Sequence, residues 1–370
     1  YYDGQRLIGG LSTYLGGGNM PWMRQVDYHM APLAHASAYL DSHPWFLHEL
    51  GQIERLFFEQ NAGTFVGYCV GTSALGAQYG RNGHYTGLVT LDRFCQSVMH
   101  RTRGRARITV LSDHGHDLQQ SERAMLPETL RQLGYRVTNR LEQAGDVIVP
   151  QFGVVTCAAI YTESPRRVAN DVVGVEGVEL AVYLDGNGEV VVLSRDGSAR
   201  ISRKQPASSG SNGSGGGSTG RGGDGVRYRY SAGRGDPLGL QTILSELEAS
   251  GLRDADGFVA DRDLLEATLH HTYPDAVHRL WRGFHGLIEY PPNVMVSLND
   301  GWHTGSVTIS KMRKMYAVHG NLNEPSSAGF AMTTAGELPE NLRMEDLRAA
   351  LLERGVRFAS RGRPPALSQR

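Results

Sequence analysis

Apolar positions fall into two rhythms along the chain. In some stretches they recur every three or four residues, which predicts helices; in others they run together over three to eight residues, which predicts strands. Helices are predicted at His48–Glu59, at Thr86–His100 and at Ser121–Gly134, the last closing on a glycine. Between Thr86 and His100, Leu88, Leu91, Phe94, Cys95 and Val98 share one stripe. Further helices are predicted at Leu238–Ser250, Asp261–His285 and Leu347–Glu353. Strands are predicted at Thr64–Val70, Arg107–Leu111, Tyr135–Val137, Asp146–Val149 and Val154–Tyr161, then at Leu180–Leu184, Glu189–Leu193, Val294–Leu298 and Val307–Ser310. Asp185-Gly186-Asn187-Gly188 reads as the turn of a hairpin joining two of these strands.

The mixture predicts an α/β fold. Residues 1–150 read as the first part of a core and 151–237 as a small strand-rich lobe; 238–354 complete the core and 355–370 form a tail. The first fifty residues show weak periodicity and read as loops with short helices. Residues 206–225, PASSGSNGSGGGSTGRGGDG, cannot bury a core and read as a flexible loop or linker. That stretch has no P-loop lysine and no strand-then-helix context, so it is no phosphate cradle.

Charge adds an exclusion. Lys+Arg is 37 against Asp+Glu 38, so nothing in the overall balance points to nucleic acid or an anionic membrane. No run of 18 apolar residues predicts a membrane-spanning helix. The three cysteines, Cys69, Cys95 and Cys157, show no metal-knuckle spacing and make no disulfide framework. The chain opens YYDGQRLIGG, without an initiator Met, and reads as a processed chain or fragment.

Candidate chemistry gathers at two places. The apolar run RITVL ends in Ser112-Asp113-His114-Gly115-His116. A strand end fixes the backbone there, and Asp113, His114 and His116 offer an oxygen and imidazole nitrogens to a transition metal; the competing reading is a polar turn capping the next helix. The second place is Val318-His319-Gly320-Asn321, where His319 reads as a distant metal ligand or a plain loop histidine. His270 and His271 read as solvated, His278 and His285 as sharing one helical face, and His29 and His35 have no partner spacing.

Taken together, VLSDHGH resembles the Ser-Asp-His-Gly signature of the alkaline phosphatase superfamily, and HGNLNEPSSAGFAMTT resembles the C-terminal metal-histidine loop of its type I phosphodiesterase and nucleotide pyrophosphatase branch. The approach segment PDAVHRLWRGFHGLIEYPPNVMVSLNDGW is similar too, and the resemblance covers residues 1 to about 335. It implies a doubly wound α/β fold with helices on both faces of the sheet. It also implies two divalent metals, usually zinc, and a Thr or Ser nucleophile acting on a small-molecule phosphate ester. Asp113 and His114 would hold the nucleophile-side metal, and His319 the other. Frequent export in the family favours an extracytoplasmic location.

The chain also departs from the pattern. Where the family carries Asp-x-x-x-His, this sequence has Ser73 and Ala77, and Gly80 four residues before His84 shows that the motif has not shifted. The second metal would keep only His319, and the nucleophile segment would lie upstream of Tyr1. The expectation is therefore a metal-dependent phosphomonoesterase or phosphodiesterase. Its alternatives are a degenerate, non-catalytic binding or scaffold protein and a phosphomutase of the same superfamily.

Overall fold

The computed structural model describes residues 2–7, 26–29, 41–60, 63–151, 153–205, 225–312 and 314–358. Most of the Gly/Ser stretch 206–225, His35 and most of the tail lie outside the described residues. The fold is mixed α/β with several mixed sheets. Two compact units account for it: one from residues 1–8, 121–312 and 319–327, the other from 9–120, 313–318 and 328–370.

The first unit is built on a nine-stranded sheet. In chain order its strands are β1 (Arg136–Val137), β2 (Asp146–Ile148), β3 (Cys157–Thr162), β4 (Val178–Leu184), β5 (Val190–Leu193), β6 (Ser198–Lys204), β7 (Arg227–Arg234), β8 (Val259–Ala260) and β9 (Val294–Leu298). Across the sheet the order is β8-β7-β6-β5-β4-β9-β3-β2-β1. The doubly wound expectation calls for a mostly parallel sheet. Here only β1 and β2 run parallel, and the other pairings are antiparallel. The reason is local: short turns such as Asp185–Gly188 reverse the chain without a crossover helix.

Side chains along the strands alternate between the faces, so both are covered. Leu180, Val182, Val190, Val192 and Ile201 pack in one apolar layer with Leu244, Leu264 and Leu280 of the helices Gln241–Ala249, Asp261–Thr268 and Ala276–Phe284. Ala181, Tyr183, Val191 and Leu193 face the other layer, with Leu130 of helix Leu126–Gln132 and Val168 of helix Pro165–Val172. Helices on both faces were expected; the central position of β9, between β3 and β4, was not.

In the second unit, helix Ser42–Glu59 packs on the segment Gly71–Arg101 through Phe46, Leu50 and Leu75. Glu49 accepts the N–H groups of Val70 and Gly71 at 3.1 and 2.7 Å, satisfying donors at the start of that segment. Burial pushes its carboxyl pKa up to about 7.

Several local expectations need correction. Gly71–Arg101 begins fifteen residues before the predicted Thr86, counting from Gly71, and it is two helices meeting at Gly80, where φ is 56° and ψ −134°. The predicted Asp261–His285 helix is two, Asp261–Thr268 and Ala276–Phe284; Pro274, which a helix interior does not tolerate, lies in the break, and Asp275 takes φ 52°. Val307–Ser310 is helical within Val307–Met312 despite its β-branched residues. Thr64–Val70 forms only the two-residue strand Gly67–Tyr68. Ser121–Gly134 divides into a strand at Glu122–Arg123 and a helix with Pro127 in its first turn.

A histidine cluster as the candidate metal site

The loop carrying His114 and His116 leaves strand Thr109–Leu111, which pairs antiparallel with Ala331–Thr333. The clamp continues past the strands. Ser112 donates its N–H to Phe330 O at 2.9 Å, and Ser112 Oγ accepts the Phe330 N–H at 3.0 Å. Gly329 is needed here, because a Cβ on it would stand 2.8 Å from Ser112 O. The ends of the two candidate segments are thus tied through backbone, although they are far apart in sequence.

Val318 is held in the same way. Its N–H donates to Asp117 Oδ1 at 3.0 Å, and its carbonyl accepts the Asp117 N–H at 3.0 Å. The next residue is His319, whose carbonyl accepts the Thr156 N–H at 2.8 Å. Gly320 follows at φ 116°, where a side chain is strained, and a Cβ there would stand 3.1 Å from Cys157 Sγ. Burial of its sulfur raises the Cys157 thiol pKa to about 11, so this half-buried cysteine stays an unreactive thiol.

The result is a cluster that could hold a metal ion. One ligand atom each from His114, His116 and His319 lie within 4.8 Å of one another. His114 Nδ1 is 2.9 Å from Gly115 O. That bond requires the proton on Nδ1 and leaves Nε2 as the lone-pair nitrogen, the form a metal needs. Three imidazoles suit a transition-metal ion, and a three-protein-ligand set leaves a coordination position open.

Of the residues expected from sequence, His114 and His319 are in the cluster. Asp113 stands beside it, exposed, with Oδ1 3.5 Å from His114 Nε2. His116, which sequence offered only as one of several donors in the loop, takes the third place. Its ring is 4.8 Å from that of His84, centroid to centroid.

The Gly80 turn places His84. The chain reverses so sharply that a Cβ on Gly83 would meet Leu75 O at 2.0 Å, and one on Gly76 would meet His84 Nε2 at 2.4 Å. His84 Nε2 is buried without a hydrogen-bond partner among the described residues, and burial lowers the ring's pKa below its ordinary value. Sequence reasoning set His84 aside because it looked only for a shifted motif; the glycines at 76, 80 and 83 were the missed signal. Ala77 is buried, and its carbonyl accepts the Tyr316 N–H at 2.9 Å.

Three other histidines are engaged elsewhere. His278 Nδ1 lies 3.2 Å from Asp261 Oδ1, His285 stacks on Trp281 at 3.9 Å, and His271 Nδ1 accepts the Tyr273 N–H. Among the described residues no helix is long and apolar enough to cross a membrane. No family model, curated protein or solved structure matches the chain.

Proposed function

We propose that this chain is a divalent-metal protein acting on small phosphate esters, with His114, His116 and His319 as the ligands. The observation that carries the metal part is the convergence of three imidazole nitrogens within 4.8 Å. The donors fit zinc better than magnesium or calcium, which take oxygen. When bound, such an ion polarises a phosphoryl oxygen and lowers the pKa of an attacking hydroxyl.

The phosphate-ester part rests on the resemblance of the Ser-Asp-His-Gly and His-Gly-Asn segments. It is supported by the pairing of Thr109–Leu111 with Ala331–Thr333, which joins the ends of those segments as a shared site requires. Within the site, the Gly115 carbonyl orients His114, and Asp117 fixes the strap before His319. Asp113 supplies an exposed carboxylate next to His114. The doubly wound core implied by the same resemblance has helices on both faces in its favour and the mostly antiparallel sheet against it.

The second reading is a non-catalytic binding protein, favoured by Ser73 and by the buried Ala77 where the family has ligands. Metal content and turnover separate the two. Purified protein is assayed by elemental analysis and with p-nitrophenyl phosphate and bis-p-nitrophenyl phosphate. Bound metal with turnover that disappears in His319→Ala supports the hydrolase. Metal without turnover leaves the binding protein, and absence of both removes the proposal.

A further inference from the structure

A second group of donors lies in the first unit, and its atoms are oxygens. Asn321 and Asn323 follow His319 by two and four residues, and both are more than nine-tenths buried. Asn321 Nδ2 donates to Leu298 O at 3.0 Å and to Asp300 Oδ1 at 2.7 Å. Asn323 Nδ2 donates to the same Asp300 oxygen at 3.1 Å. Asp300 sits in the turn between β9 and strand Trp302–Gly305. Glu179 of β4 lies beside Tyr273, Asn323 and Asp300, which brings a second carboxylate to the group.

The amide orientations are dictated. Leu298 O and the Asp300 Oδ1 accept from the amides, so each Nδ2 faces them and each Oδ1 turns away. What is turned away finds no donor. Asn321 Oδ1, Asn323 Oδ1, Glu179 Oε2 and Ser326 Oγ are all buried without a hydrogen-bond partner. Ser326, 3% exposed, is in helix Glu324–Ser327, on the same segment. Neither Glu179 nor Asp300 forms an ion pair among the described residues. Both carboxylates belong to half-buried residues, but the unpartnered oxygens named above are themselves buried, and buried acceptors ordinarily have a partner.

The geometry points to a binding site for a hard divalent cation, calcium by donor type, formed by Glu179, Asn321, Asn323 and Ser326, with Asp300 orienting the two amides. Carboxylate, amide and hydroxyl oxygens are the ligands calcium takes, in a flexible arrangement with water completing the shell. No nitrogen or sulfur donor is in the group, so zinc is the poor match here and the good match at the histidines. Binding would tie residues 321–326 to β4 and to the turn at Asp300. The site is independent of the proposed function.

The test uses the full chain after treatment with EDTA. Calcium chloride and magnesium chloride are titrated by calorimetry and by thermal unfolding. The proteins compared are wild type, His319→Ala, Glu179→Gln and Ser326→Ala. Calcium should raise the unfolding temperature of wild type and His319→Ala alike, with one equivalent bound. Glu179→Gln should weaken calcium binding about tenfold or more. Ser326→Ala removes a buried hydroxyl without adding volume. It should unfold at or above the wild-type temperature without calcium and still bind calcium more weakly. The proposal is overturned if folded wild type shows no calcium or magnesium response, which would leave the oxygens to ordered water. It is also overturned if both variants bind like wild type.

Discussion

Asp117 and Val318 are paired in both directions, backbone N–H to carbonyl and N–H to carboxylate, each at 3.0 Å. The pairing fixes the residue before His319 against the loop that supplies His116. A ligand held through one peptide bond is only as well placed as its neighbour. Asp117→Ala should therefore weaken zinc binding roughly 10–100-fold, the usual effect of losing a group that orients a ligand. Asp117→Asn keeps an acceptor oxygen and should recover most of the affinity. Calorimetric titration of the two variants checks this; equal affinity in both and in wild type would detach His319 from the pairing.

The turn at Gly80 makes a steric prediction with its own control. A Cβ on Gly83 would lie 2.0 Å from the Leu75 carbonyl oxygen, a backbone atom that cannot step aside. Gly83→Ala should lower stability by about 1–3 kcal/mol, the range for forcing extra volume into packed structure. Gly87 meets only ordinary contacts, at 3.6 and 3.7 Å from Leu75 Cδ1 and Thr72 Cγ2. Gly87→Ala should be neutral or stabilising by up to about 1 kcal/mol from helix propensity. Urea denaturation of both variants gives the comparison, and similar losses at both positions would contradict the sharp reversal.

His303 predicts a pH dependence. It is buried, and Nδ1 lies 2.9 Å from Ser121 Oγ. Burial, with Arg123 adding repulsion, lowers its pKa from 6.5 to about 4. The unfolded chain titrates near the ordinary value and so binds more protons than the folded chain between those limits. Stability then rises with pH across the window and is lost as pH falls from about 6.5 towards 4. His303→Gln should flatten that part of the profile, as read from urea midpoints against pH. An unchanged slope would assign the acid sensitivity to other groups.

The β4–β5 hairpin was legible because Asp185-Gly186-Asn187-Gly188 combines turn chemistry with two apolar runs of matching length. The loop of His114 and His116 was legible for a related reason: an apolar run stops at a polar cluster. The position of β9 in the middle of the sheet was not, because pairing across more than a hundred residues leaves no mark in local periodicity. Nor was the Gly80 reversal. Its glycines look like any others until the second helix folds back onto Leu75. His116 stood in view beside His114, but choosing it over Asp113 required knowing which side chains face His319.

The measurement that bears most directly on the account is zinc titration of the EDTA-treated protein, with His114→Ala, His116→Ala and His319→Ala alongside wild type. One equivalent should bind at the histidines, and each substitution should raise the dissociation constant about tenfold or more while the fold, read by circular dichroism, is kept. Wild type that binds no zinc, or zinc binding indifferent to all three substitutions, would contradict the histidine site.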